Sequence, residues 1–266
     1  MEEEKLAKIK YEDLVFYFRK NVVEDCWVLE GILFGNEYSS LNIDPQDVVY
    51  DVGANIGVFT LLASRKAKLT VSIEPERGNY EILKLNVTRN NLNNVILINK
   101  AVGDTKGKVS MSSTGGSASV VPGNDIELTT LDDIIEETGK IPDVIKMDIE
   151  GYEAKALRGF SHFKELKRII MEVHSSELLQ EVSKILRENN FEIENVSKPP
   201  TSKIALTLLR HPLAFLRVED TFGYITTKQI LKHLLLRAPH PIASANENSG
   251  QYLIKAENKA YKDGKT

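Results

Sequence analysis

Along the middle of the chain, short β-rich apolar runs alternate with stretches whose apolar residues recur at helical spacing. Residues 48–52 (VVYDV) form the first such run and end in a glycine-containing turn, after which Val58, Phe59, Leu61, Leu62 and Ala63 follow a helical pattern. The run 69–73 predicts a second strand. Tyr80, Leu83 and Val87, at i, i+3 and i+7, predict a helix over 77–90, and 95–98 a third strand. Residues 103–124, with Met111-Ser-Ser-Thr-Gly-Gly-Ser-Ala-Ser119 and Pro122-Gly123, read as a polar loop flanked by a hairpin. Thr130 with Asp133 three residues on is a capping box for a short helix that Gly139 and Pro142 close. A fourth strand over 144–149, a helix over 153–157 and a fifth strand over 168–173 come next. Leu178, Leu179, Val182, Ile185 and Leu186 mark an amphipathic helix, and 191–196 and 251–256 read as the last strands. Strands alternating with helices predict βαβ units and a mostly parallel sheet. Residues 1–45 are rich in aromatics and charge and show no clean period.

Composition narrows the class without naming a chemistry. Apolar residues make up 42% and charged residues 27% of 266, an ordinary balance for a globular chain that needs no covalent or metal staple. A lone cysteine, Cys26, excludes an intrachain disulfide. Thirty-four basic and 38 acidic residues leave a net charge of -4, which argues against a surface built wholly for nucleic acid. The start, MEEEKLAKIK, lacks the apolar stretch of a secretory signal, and no apolar run approaches the ~20 residues of a membrane span. The expectation is a soluble, cytoplasmic protein. The acidic balance hides a basic, Leu-rich segment: residues 202–241 carry six Lys or Arg against Glu219 and Asp220. Leu231, Leu234 and Leu235 suit the buried stripe of a packing, dimerisation or lid helix, or a weak anchor on a membrane surface. The expected organisation is an aromatic and charged segment over 1–45, a core over 46–200, an insertion over 201–248, a final core strand over 249–258 and a tail over 259–266.

The turn after the first strand reads Asp51-Val52-Gly53-Ala54-Asn55-Ile56-Gly57. Its glycines allow a sharp turn and leave room for a ligand against bare main chain. Asn55 stands where a dinucleotide fingerprint needs its middle glycine, and Asp51 would repel a phosphate, so an amine-bearing, positively charged ligand fits better. No Walker loop is present. Glu74 ends the second strand twenty-one residues beyond Gly53, where an acid accepts two hydrogen bonds from a ribose diol.

With these residues in view, the chain resembles class I S-adenosylmethionine-dependent methyltransferases and, more narrowly, the FkbM family. The resemblance rests on VVYDVGANIGVFT (48–60), SIEPERGNYEILKLNV (72–87), NKAVGD (99–104), TTLDDI (129–134), DVIKMDIEGYEAKALRG (143–159) and MEVH (171–174). It implies a Rossmann-like α/β fold with a seven-stranded, mostly parallel sheet and helices on both faces, plus an N-terminal segment and a helical insertion before the last strand. By the same resemblance Asp51, Gly53, Ala54, Asn55 and Gly57 would line the methionine end of S-adenosylmethionine. Glu74 and Pro75 would meet the ribose with Asn79 nearby, and Ala101 and Asp104 would lie toward adenine.

Charge inside the fourth and fifth strands is the second chemical signal, because parallel strands covered on both faces normally read as unbroken apolar runs. At period two, Lys146, Asp148 and Glu150 share one side of the fourth strand, while Glu172 and His174 share a side of the fifth. These five converge beside the switch-point crevice, where they would hold and activate an acceptor: a carboxylate or His as general base, Lys146 lowering the acceptor's pKa. Oxygen and nitrogen donors in that set could take a divalent metal, although the resemblance does not require one and none is assigned. The place of the N/D-P-P-Y/F turn of amino-group methylases holds Asp148-Ile-Glu-Gly151, which disfavours base methylation. The sequence therefore predicts O-methylation of a hydroxyl on a sugar, glycan or small metabolite, with nucleic acid an unfavoured partner. The alternatives are an RNA or protein methyltransferase using the basic segment, and a non-catalytic nucleotide-binding module.

Overall fold

The computed structural model describes residues 6–20, 22–35, 37–112, 120–196 and 252–262. The expected insertion over 201–248 lies outside the described residues, as does the 113–119 tract.

A hairpin opens the chain: β1 (Leu6–Tyr11) and β2 (Leu14–Arg19) pair antiparallel across a turn in which Glu12 takes φ 54°. Helix α1 (Val23–Leu29) follows and runs into a π-helical turn, Glu30–Phe34. The sequence showed no period here because outward positions of β2 are also apolar or aromatic (Val15, Tyr17) while Leu14, Phe16 and Phe18 face inward. Those inward side chains pack with Ile56, Leu61, Ile82 and Leu83.

The central sheet holds β3 (Val48–Val52), β4 (Leu69–Ile73), β5 (Val95–Ile98), β10 (Val144–Met147), β11 (Arg168–Val173), β12 (Phe191–Asn195) and β13 (Tyr252–Asn258). Between β5 and β10 come β6 (Ala101–Val102), β7 (Gly107–Met111), β8 (Val120–Pro122) and β9 (Ile126–Thr129), which form a small separate sheet. The strand order is β12-β13-β11-β10-β3-β4-β5, with β13 antiparallel to both neighbours and the rest parallel. This is the expected mostly parallel seven-stranded sheet. The hairpin expected to flank the polar tract in 103–124 is present as β7 and β8, which pair antiparallel; its period was weak because the small sheet exposes Lys108 and neighbouring residues to solvent.

Helices α4 (Leu131–Thr138), α5 (Glu153–Arg158) and α6 (Ser176–Glu188) cover one face of the sheet, burying Ile134, Leu157 and Leu186 against Tyr50, Ile145 and Met171. Helices α2 (Val58–Ser64) and α3 (Arg77–Arg89), with the N-terminal hairpin, cover the other. The capping box of α4 is present as predicted: Asp133 N–H donates to Thr130 Oγ1 at 3.1 Å, and Gly139 closes the helix at φ 65°. A short helix α7 (Lys259–Lys262) ends the described chain, over residues expected to form a tail. At the amino ends of the strands, buried Asp47 meets Lys167 Nζ at 2.9 Å and Arg168 Nη2 at 2.7 Å, and Asp143 meets Lys167 at 3.0 Å.

Candidate functional site

At the opposite, carboxyl end of the sheet a cavity of about 220 Å³ opens between the tips of β3, β4, β10 and β11. The turn after β3 forms one wall. Gly53 stands at φ 79° and Asn55 at φ 52° in the left-handed region, which brings bare main chain to the cavity. A Cβ on Gly53 would lie 1.8 Å from the Asp148 carbonyl oxygen, so no larger residue fits between this turn and the end of β10. Ala54, Pro75, Asn79 and Ala101 continue the wall. Glu74 closes it. Its carboxylate accepts the N–H of Asn55 at 2.8 Å and of Glu76 at 2.9 Å, with the Asn79 amide at 3.5 Å. Burial pushes its pKa up to about 7, against those hydrogen bonds.

Three residues expected in the cofactor site, Asp51 and Gly57 of the turn and Asp104 toward adenine, do not line the cavity. Asp51 is fully buried, accepts Thr60 Oγ1 at 2.6 Å and pairs with Lys146 Nζ at 3.1 Å, so it braces the turn from beneath. Gly57, at φ 88°, precedes α2 and is pressed by Leu83, whose Cδ1 lies 2.5 Å from where its Cβ would be. Asp104 is exposed beside Arg158, 3.8 Å away. Period and spacing place a residue on a strand or turn; they do not say which side of the turn a side chain takes.

The five charged residues of β10 and β11 do reach the cavity. Lys146 departs from its expected role: its Nζ donates to the Gly53 carbonyl at 2.7 Å and sits 5.4 Å over the Tyr38 ring. Burial works to lower its pKa, but Asp51 and Asp148 outweigh it and keep the ammonium charged. Lys146 therefore holds the turn rather than presenting charge to an acceptor. Glu150 also arrives by a different route than predicted. Strand β10 ends at Met147, and a turn with Glu150 at φ 50° and Gly151 at φ 99° swings the Glu150 carboxylate to the cavity.

His174 organises this end. Its Nδ1 lies 3.0 Å from Glu153 Oε1, while Nε2 lies 3.3 Å from Glu150 Oε2 and 3.7 Å from Asp148 Oδ1. Burial would lower the imidazole pKa, yet the Glu153 hydrogen bond and the Asp148 and Glu150 charges raise it to about 9, so the ring is cationic at neutral pH. Burial pushes Glu150 up to about 7, partly offset by His174. Asp148 Oδ2 accepts the Tyr38 hydroxyl at 3.4 Å. Donor atoms of Asp148, Glu150 and His174 lie within 4.8 Å of one another, a spacing compatible with a divalent cation. Two members of the site escaped the sequence reading. Tyr38 showed only as one aromatic among many. Glu153 is the first residue of α5 and showed as a helix start, yet its side chain is fully buried against His174.

Comparison with known proteins gives this geometry a family. The family model described as the methyltransferase FkbM domain matches residues 51–193. AglP of Haloferax volcanii, named a hexuronic acid methyltransferase, is 26% identical over 188 residues, covering 66% of this chain and 78% of the relative. The methyltransferase sdnD of Sordaria araneosa is 23% identical over 227 residues, covering 68% and 87%. A solved FkbM methyltransferase from Methylobacillus flagellatus superposes with a TM-score of 0.48 at 23% identity, over 61% of this chain and 43% of that one. Among the described residues no helix is long and apolar enough to cross a membrane. The chain belongs to the FkbM methyltransferase family.

Proposed function

We propose that this methyltransferase moves a methyl group from S-adenosylmethionine to a hydroxyl of a sugar or glycan. One observation carries the reading: a single cavity joins a bare-backbone turn and a buried acid, Glu74, to an acid–histidine cluster at the neighbouring strand tips. The turn fits the donor. Only glycine fits at position 53, and the wall offers bare main chain from Gly53 to Asn55. Gly53, Ala54 and Asn55 would hold the amino acid end and Glu74 the ribose hydroxyls. When bound, S-adenosylmethionine supplies an electrophilic methyl on a sulfonium.

The chain's own work is to orient the acceptor, exclude water and take a proton. Glu150, with a pKa of about 7, is matched to accept the proton of an acceptor hydroxyl near neutral pH. Asp148, between Tyr38 and His174, orients that hydroxyl. The imidazolium of His174 lacks a free lone pair to accept a proton; it holds the two carboxylates together, and Glu153 holds it. Glu172, buried at the end of β11, lines the same end of the cavity. The name of the Haloferax relative supports a sugar acceptor.

The test is incubation with methyl-labelled S-adenosylmethionine and a panel of monosaccharides and cell-derived glycans, read by mass spectrometry. The expected product gains one methyl and keeps it through alkaline hydrolysis, as an ether does. Label released by alkali as methanol would mark an ester and refute hydroxyl transfer, and label confined to RNA or protein would refute the sugar reading.

A further inference from the structure

The N-terminal hairpin lies outside the residues that match the family, yet one of its side chains reaches the turn that carries Glu74. Arg19, the last residue of β2, grips Asp25 of α1 with a fork: Nε donates to Oδ2 at 3.0 Å and Nη2 to Oδ1 at 2.6 Å. The Asp25 side chain is only 1% exposed, so this fork is anchored in the interior. The same Nη2 donates across 60 residues to Asn79 Oδ1 at 2.6 Å. An amide whose oxygen is taken must present its Nδ2 elsewhere, and Asn79 Nδ2 lies 3.5 Å from Glu74 Oε1. The Asn79 N–H is also held, by Glu76 Oε2 at 2.6 Å, and the Glu76 N–H in turn donates to Glu74. Glycine at position 78 makes room for this arrangement. A Cβ there would lie 3.1 Å from Arg19 Nη1 and 2.9 Å from Glu76 Oε2.

We propose that Arg19 is a positioning residue for the ribose end of the cofactor site, acting through Asn79 on Glu74. The inference rests on the reading above that Glu74 holds the ribose hydroxyls. It makes the hairpin a working part of the site rather than a cover for the hydrophobic face of α3. Neither Arg19 nor Asp25 stood out in the sequence, because nothing in a β-hairpin pattern marks an arginine that will meet a residue so far along the chain.

Calorimetry with S-adenosylhomocysteine and with its 2′-deoxyribose analogue tests it. Arg19→Gln is expected to weaken S-adenosylhomocysteine about tenfold while changing the 2′-deoxy analogue by less than about twofold. A hairpin that only supports the fold would weaken both ligands alike; that result, or no change in either, overturns the inference. Should Arg19→Gln destabilise the protein, Arg19→Lys keeps the charge beside Asp25 but cannot fork to Asn79 as well, and the same loss of discrimination is expected. Glu74→Ala separates the two levels of the argument. If Glu74→Ala leaves both ligands unchanged, the ribose reading itself falls. If it removes discrimination and the Arg19 variants do not, only the role of Arg19 falls.

Discussion

The two ends of the central sheet both carry buried charge, and they use it in opposite ways. At the amino ends of β3, β10 and β11, Asp44, Asp47 and Asp143 interlock with Lys167 and Arg168 through contacts of 2.7 to 3.0 Å. There Lys167 and Arg168 are raised and Asp44 is lowered, so these three keep the charge they have in water. At the carboxyl ends, Glu74, Asp148, Glu150 and Glu172 instead crowd into one cavity. Glu74 and Glu150 are pushed up to about 7, so carboxyls that are ionised in water titrate near neutrality here, while His174 is raised to about 9. Acids that each meet a Lys or Arg fasten strand ends; acids crowded into a buried cavity keep a proton available. Perturbed carboxyls gathered in a cavity mark the working end of this molecule.

The largest effect expected from breaking this contrast is at the turn of the working end. Gly53→Val forces a side chain into the space of the Asp148 carbonyl, and S-adenosylhomocysteine binding is expected to vanish in a protein that still melts cooperatively. Unchanged affinity would refute the close-approach argument. Next, Asp148→Asn is expected to cut transfer at least about 100-fold with affinity for S-adenosylhomocysteine nearly intact. At the other end, Asp47→Ala leaves Lys167 with Asp143 and Arg168 with Asp44 as their remaining partners. It is expected to lower unfolding stability by about 1–3 kcal/mol in denaturant titration, with cofactor affinity unaltered below the transition. A site defect in that variant would blur the division between the two ends.

The smaller effects sharpen the same division. Only the ionised Glu74 accepts both ribose hydroxyls, so S-adenosylhomocysteine affinity should rise as pH climbs through about 7. The sign for folding is opposite: a folded-state pKa raised above the unfolded value means stability falls over the same climb. A pH-independent affinity in calorimetry would remove Glu74 from the ribose role. The smallest effect is expected from metal removal. Transfer should survive a chelator, since His174 already supplies the positive charge between Asp148 and Glu150; loss restored by Mg²⁺ would place a metal there.

Legibility in the sequence follows the range of the interactions. The strands and helices of the core were readable because period and capping are local, as Thr130 with Asp133 illustrates. The cavity wall was readable in outline because Gly53, Asn55 and Glu74 sit at strand tips, where backbone geometry restricts the residue types. Asp51 and Gly57 lie in the same motif yet serve it from behind, since a motif does not reveal which side of a turn a side chain takes. The acid–histidine cluster was predicted from strand period, whereas Glu150 joins it through a left-handed turn after β10 has ended. Tyr38, Glu153 and Arg19 showed no role in the sequence, although Glu153 lies in the 143–159 motif. Each gains its role from a partner elsewhere in the chain, at Asp148, His174 and Asn79 respectively.

The central claim is that the carboxyl end of the sheet supplies the proton acceptor for methyl transfer while the donor is held separately. Glu150→Gln tests it most directly, because the amide keeps the shape of the turn but cannot take a proton. The account predicts S-adenosylhomocysteine affinity within about twofold of the parent and a transfer rate lower by at least about 100-fold. Full turnover in Glu150→Gln, or a loss of affinity as large as the loss of rate, would contradict it.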